Sequence, residues 1–420
     1  MLVNTLLMVV LWPAFGQQED RIDPTANVDA EAWQQRVRAM LQNGVTNETI
    51  RLRAATTLSP TDLKRVHEDS IKTLKASESK LIEHLKERQT TPYSGYLRGD
   101  RFSVAIDGAV LKAVYGLSEK AGDAYALDIT QRRSFHRKSL AAELVVALDD
   151  RVCLTTTQAA KIEQRLSQDP KMDSVAAVVC IHHWKRPIDC LDRLRFPELS
   201  EEQAQALKDR AKVVSPRFAQ LDFATFRERM RRISASRVRL LRSEMKLSDA
   251  QFRRLELSSK RHIDELVEVW KTAWATVQND RDAVQSVAGI VNAPDLFTLF
   301  LHEGKWSTYV SQVLNEEQRA KFAARQLDRA KRAHRAMWCC MTCHYFQGWT
   351  LTAEQFESIA KVFQTLPIDE VPHRFSQKTY LALPQIGNEE FIKAIGKDHF
   401  ERWERQVLGR IRPATGPPKK

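Results

Sequence analysis

One short pattern, Leu-[Ser/Thr/Asn]-x-x-Gln, occurs five times in the chain. The copies are Leu154-Thr155-Thr156-Thr157-Gln158, Leu199-Ser200-Glu201-Glu202-Gln203, Leu247-Ser248-Asp249-Ala250-Gln251, Leu314-Asn315-Glu316-Glu317-Gln318 and Leu351-Thr352-Ala353-Glu354-Gln355. A variant, Leu58-Ser59-Pro60-Thr61-Asp62, has Asp for Gln and a proline at the first helical position, where its missing N–H costs nothing. Each copy reads as a capping box. The Ser, Thr or Asn oxygen accepts from the N3 amide, and the N3 glutamine reaches back to the N-cap amide. The leucine before the cap can pack on N4, which is Leu63, Phe252 or Phe356 in three copies, Ala159 or Ala204 in two and Arg319 in one. The expected helix caps are therefore Ser59, Thr155, Gln158, Ser200, Gln203, Ser248, Gln251, Asn315, Gln318, Thr352 and Gln355.

The leucine-to-leucine intervals from Leu154 onward are 45, 48, 67 and 37 residues, so the repetition is irregular. Each interval holds one or two helices, which predicts an irregular array or bundle of helical hairpins rather than a strict solenoid. Glycine and proline together number 29 among 420 residues, and no series of alternating Val/Ile/Thr-rich segments with Asn-Gly or Asp-Gly turns appears. The expected fold class is all-α.

Residues 1–16 contain an apolar run from Leu6 to Phe15, bounded by the charged Glu19-Asp20-Arg21. The run is too short to span a bilayer and suits a secretory signal, with Ala14 and Gly16 placed for cleavage after Gly16. No Lys or Arg precedes it, and a buried N-terminal helix is the competing reading. With that signal the expected location is secreted or periplasmic, and no other stretch approaches membrane-spanning length. The net charge of +12 then belongs to the chain beyond residue 16 and favours anionic partners. Export makes nucleic acid the less favoured of these.

Helical periodicity begins with Ala30, Trp33, Val37, Met40 and Leu41. A second stripe follows Pro60 through Leu63, Val66, Ile71, Leu74, Leu81, Ile82 and Leu85, suited to a bundle contact or, as a lesser alternative, a coiled coil. The Gln89–Tyr96 segment breaks the pattern, separating an N-terminal helical region, 17–92, from a repeat-like region, 104–409. Residues 410–420, rich in proline and ending in two lysines, read as a disordered basic tail.

The pentapeptides resemble the LTxxQ motif of periplasmic stress-response proteins, small all-α cradles that act as ATP-independent chaperones for unfolded clients. The resemblance rests on the pentapeptides and the exported context, and this chain carries more copies, unevenly spaced. It implies a structural role at helix starts for Thr352, Gln355 and their equivalents. A broader set of exported bacterial helical proteins without assigned activity has similar helix starts.

Six cysteines are present: Cys153, Cys180, Cys190, Cys339, Cys340 and Cys343. Six allow fifteen complete pairings, among which sequence does not choose. Cys340-Met341-Thr342-Cys343-His344 fits C-x-x-C-H, in which two thioethers fix haem c and the histidine ligates iron. Cys340, Cys343 and His344 are thus candidate haem ligands. Against haem, Ala333, Met337, Met341 and Tyr345 continue a helical stripe through the motif. No methionine follows His344, which leaves His373 or His399 as second axial ligand. Zinc at the same cluster lacks a fourth ligand with suitable spacing. His182-His183 point to different helix faces and suit a single metal poorly.

The Phe223–Met245 segment carries Arg227, Arg229, Arg231, Arg232, Arg237, Arg239 and Arg242. Arg227, Arg231, Arg232 and Arg239 are candidate anionic-ligand residues, although a solvated basic face on a core-packed helix explains the same pattern. The tryptophans Trp184, Trp270, Trp274, Trp306, Trp338, Trp349 and Trp403 read as core anchors rather than a ligand cage. No G-x-S-x-G, Walker loop, H-E-x-x-H or paired glycine fingerprint occurs. The expectation is an exported helical binding or scaffold protein with no evident catalytic activity, suited to holding protein clients or anionic envelope components. The alternative is a haem-carrying redox or electron-transfer protein.

Overall fold

A computed structural model of the chain describes residues 30–80, 98–170, 172, 194–213, 223–278, 304–346, 350–366 and 388–403. The protein is all-α, and no strand occurs among the described residues. The signal segment 1–16, the 89–96 break, the 410–420 tail, Cys180, Cys190 and His182-His183 lie outside them. No helix among the described residues is long and apolar enough to cross a membrane.

The helices in chain order are α1 (Ala30–Ala55), α2 (Pro60–Lys75), α3 (Arg98–Tyr115), α4 (Glu119–Val152), α5 (Thr156–Gln168), α6 (Glu201–Val213), α7 (Phe223–Met245), α8 (Asp249–Gln278), α9 (Gly304–Val313), α10 (Glu316–Phe346), α11 (Ala353–Gln364), α12 (Asn388–Ile395) and α13 (Lys397–Trp403). The chain divides into two compact units. Among the described residues, the first contains 151–153, 200–213, 223–278 and 304–321. The second contains 30–80, 98–150, 154–170, 172, 194–199, 322–346, 350–366 and 388–403.

In the first unit α6 packs on α7, α7 on α8 and α8 on α9. The α7–α8 register is read from its polar contacts. Arg242 meets Asp249 beside the connecting turn, Ser234 meets Ser259 further along, and Arg227 meets Glu268 at the far end. Those contacts make the pair antiparallel. The buried seam carries Met230, Ile233, Val238, Leu241 and Met245 from α7, facing Leu255, Ile263 and Val267 of α8. Steps of three, five, three and four residues along α7 keep its members on one core-facing side.

In the second unit α1, α2 and α3 pack on one another, so helices on both sides of the 89–96 break share one core. The stripe after Pro60 is used here: Leu63, Val66 and Leu74 are buried within the chain's own bundle. Gly44 of α1 faces Ile106 of α3 so closely that a Cβ would collide with the isoleucine, which permits the tight crossing. Elsewhere, six of the seven α4 residues from Ser139 to Val145 are buried, all but Glu143, so this stretch runs through the interior rather than over it.

An aromatic ladder closes this core. Trp338 of α10, with no exposed surface, stacks on Phe363 of α11 at 5.0 Å between ring centres. Phe363 meets Phe391 of α12 at 5.6 Å, and Phe391 meets Phe400 of α13 at 5.7 Å. The tilted and edge-on geometries are those aromatic rings prefer. Trp306 is likewise buried, in the first unit. Trp184 and Trp349, and the side chains of Trp270, Trp274 and Trp403, lie outside the described residues.

Candidate functional site

The five pentapeptides close as reciprocal boxes. Gln158, Gln203, Gln251, Gln318 and Gln355 each accept the N-cap amide through Oε1, at 2.9–3.0 Å. Each N3 amide in turn donates to Thr155, Ser200, Ser248, Asn315 or Thr352, at 2.8–3.4 Å. Ser59 accepts from the Asp62 amide at 3.1 Å, and its hydroxyl donates to the Asp62 carboxylate.

The glutamines carry a second bond that local sequence does not announce. Each donates Nε2 to a backbone carbonyl at or near the end of a different segment. Gln158 reaches Glu198 at 2.8 Å and Gln203 reaches Cys153 at 2.9 Å. Gln251 reaches Val313, Gln318 reaches Met245 and Gln355 reaches Ile395, each at 3.0 Å. Val313, Met245 and Ile395 end α9, α7 and α12, and carbonyls at helix ends lack an intrahelical partner. One side chain therefore caps the start of its own helix and the end of another. A glutamate would supply the acceptor for the first bond but no donor for the second.

Three of these endings use the left-handed backbone conformation. Lys246 has φ 51° and Cys153 has φ 55°. At Lys246 the Leu247 amide returns to the Arg242 carbonyl at 3.1 Å, the long bond of a Schellman ending. Gly396, with φ 86°, supplies the left-handed residue after α12 without a side-chain penalty, its amide bonding the Ile392 carbonyl at 2.7 Å.

Two helix starts in the second unit are also gripped by an aspartate and an arginine. At α5, Asp149 accepts the Leu154 amide at 2.7 Å while Arg325 donates to the Leu154 carbonyl at 3.2 Å. Arg329 pairs with Asp149 at 2.8 Å. At α11, Asp128 accepts the Ala353 amide at 2.8 Å, Arg51 donates to the Leu351 carbonyl at 2.8 Å, and Arg132 pairs with Asp128 at 2.8 Å.

The α11 clamp belongs to a larger buried ion cluster that the sequence reading missed. Glu48 of α1 receives Arg51, Arg132 at 3.2 Å and the Tyr125 hydroxyl at 2.7 Å. Arg133 pairs with Asp107 of α3 at 2.8 Å. Burial pushes the Glu48 carboxyl up, but the Arg51 and Arg132 guanidiniums and the hydrogen bonds overcome it and hold the group at about 2. Burial and the nearby Glu48 charge raise Asp107. Burial and Glu48 likewise raise Tyr125 well above its ordinary value, keeping the phenol as a donor. One turn beyond Arg132, His136 is depressed to about 4 by burial and by the charges of Arg132 and Arg51. Its Nε2 is enclosed without a hydrogen-bond partner. The only signal for this cluster in the sequence is the i, i+4 spacing of Asp128 and Arg132.

The cysteine motif lies inside α10. Cys340 is buried and its thiol donates to the Ser139 carbonyl at 3.4 Å, while Cys343 has no exposed surface and sits in the aromatic core. The His344 side chain lies outside the described residues. Cys339 is partly buried beside Gln364, and burial pushes its thiol up to about 11. Cys153 and Cys339 are free thiols. Among the described residues no three His, Cys, Asp or Glu side chains are grouped to hold a metal.

The candidate anion-binding arginines face acidic side chains. Arg231 donates to both Asp264 oxygens at 2.8 Å, and Arg227 reaches Glu268 at 2.6 Å. Arg239 meets Glu202 at 3.0 Å and Arg232 meets Glu228 at 4.0 Å. The structure thus gives Arg227, Arg231 and Arg239 to the α6–α7–α8 helix contacts, while the Arg232 pair lies within α7.

The chain matches no family model, and comparison with curated proteins and with solved structures returned no significant match.

Proposed function

We propose that this chain is an exported, non-catalytic helical binding protein that holds segments of other proteins. The observation that carries the reading is where the polar chemistry goes. Glu48, Asp128, Asp149, Arg51, Arg132 and Arg329 engage one another and backbone groups at helix starts, and the recurrent glutamines engage helix ends. Displaced pKa values mark catalytic sites or structural ion networks, and here the displaced groups Glu48 and Arg132 are tied to the α11 start. The signal-like residues 1–16 and the resemblance of the pentapeptides to the LTxxQ motif supply the exported, client-holding part of the reading. Protein is favoured over an anionic polymer because Arg227, Arg231, Arg232 and Arg239 already face carboxylates.

The test is suppression of aggregation. Purified protein lacking residues 1–16 is added to a reduced, aggregating client at neutral pH and modest salt. Lower light scattering at near-equimolar ratio is the expected result. Unchanged scattering across several clients, together with an uncut N-terminus on the native protein, overturns the reading.

A further inference from the structure

We propose that His136 is an acid-sensitive latch on the seat of α11, so that protonating its ring releases the start of this helix from α1 and α4. The latch is independent of the client-holding function. Its basis is the placement of the ring. His136 lies edge-on to Phe356 of α11 at 5.4 Å, and Phe356 is also 5.7 Å from Phe135 of α4. The imidazole therefore forms part of the surface on which the first turn of α11 rests. Its Nε2 is enclosed and accepts no hydrogen bond, so a proton added there enters a place without an acceptor.

The charged groups at this seat do not offer one. From α1 come Arg51 and Glu48, from α3 Asp107, and from α4 itself Asp128, Arg132 and Arg133. Glu48 is engaged by Arg51, Arg132 and Tyr125, Asp128 by Arg132 and the Ala353 amide, and Asp107 by Arg133. From α11 comes the Phe356 ring, which gives a cation less than an ionised partner does. A charged imidazole meets two guanidiniums whose carboxylates are taken. The ring's depressed proton affinity is caused first by burial and then by Arg132 and Arg51, as this arrangement requires.

The same two arginines hold α11. Arg51 donates to the Leu351 carbonyl, and Arg132 pairs with the Asp128 that accepts the Ala353 amide. Repulsion at His136 acts on the clamp that seats the helix. Undocking the start of α11 lets the ring return to its ordinary value of 6.5, so acid shifts the equilibrium toward the open form.

Hydrogen exchange of the full chain, corrected for intrinsic exchange at each pH, tests this. Between pH 7 and pH 5, protection of the α11 amides falls on the order of twenty-fold, from a shift of 6.5 to about 4, while α8 protection is unchanged. In His136→Phe or His136→Gln the α11 protection becomes independent of pH over that range. Unchanged protection in the native chain, or the same fall in both variants, overturns the proposal. A ring titration of His136 by NMR in the native chain is a second readout, and a midpoint at or above 6.5 refutes it even if neither variant folds.

Discussion

The side-chain amide of Gln251 donates to the side-chain oxygen of Gln318 at 2.8 Å, although each glutamine also closes the first turn of its own helix. Around this contact Gln251 takes the Val313 carbonyl and Gln318 takes the Met245 carbonyl. Two helix starts and two helix ends are thereby satisfied by two side chains. Replacing Gln318 by Glu keeps the N-cap acceptor and removes the donor, leaving a charge beside the Met245 carbonyl. Gln318→Glu is expected to destabilise by about 1–3 kcal/mol in urea denaturation, at least as much as Gln318→Ala. A loss below the alanine variant's means that the box alone matters.

Removing Arg51 leaves the buried Glu48 short of a partner and frees the Leu351 carbonyl. Arg51→Met is expected to cost about 3 kcal/mol or more in urea denaturation, the range for breaking a buried pair from one side. Adding Glu48→Gln to it recovers part of that loss. If the double variant is less stable than Arg51→Met, the charge pair is not the source of the effect.

Glu48 sets a pH window. Its folded value of about 2 lies below the ordinary 4.5, so its stabilisation is fully present above pH 4.5 and is lost as the pH falls toward 2. Stability measured in urea from pH 5 to pH 2 is expected to decline more steeply in the native chain than in Glu48→Gln. Parallel curves assign the acid loss to other groups.

Lys246 bears a side chain in a conformation that favours glycine. Lys246→Gly is expected to raise the unfolding free energy by up to about 1 kcal/mol, since the left-handed region penalises a Cβ. A lower midpoint in thermal unfolding would show that the lysine contributes elsewhere.

The α10 thiols are predicted to be slow. Cys340 and Cys343 are buried away from reagent, and Cys339 holds its proton to about 11, so its thiolate is scarce at neutral pH. Intact mass after brief alkylation of the native protein should show these three unmodified, with full labelling only after unfolding. The same spectrum reads haem: an increment of haem size on the native chain revives the redox reading of Cys340-Met341-Thr342-Cys343-His344.

The capping boxes are legible in sequence because all their atoms lie within four residues. The glutamines' second bonds are not, because they depend on which helix ends meet in space. The α4 cluster escaped for a related reason. Asp128 and Arg132 look like an ordinary solvated i, i+4 pair, and only the arrival of Glu48 and Tyr125 beside Arg132 and of the Ala353 amide on Asp128 shows that the pair is interior. Conversely, the α7 arginines stand out in sequence, yet Arg227, Arg231 and Arg239 find their carboxylates on neighbouring helices, which periodicity along one helix does not reveal.

Because a glutamine grips its distant carbonyl directly, the peptide looping between them need not hold the two together. Gln158 reaches across 40 residues and Gln251 across 62 with bonds of nearly the same length. A chain fastened in this way ties its helix ends to one another by side chains, so the positions of those ends do not depend on the length of chain between them.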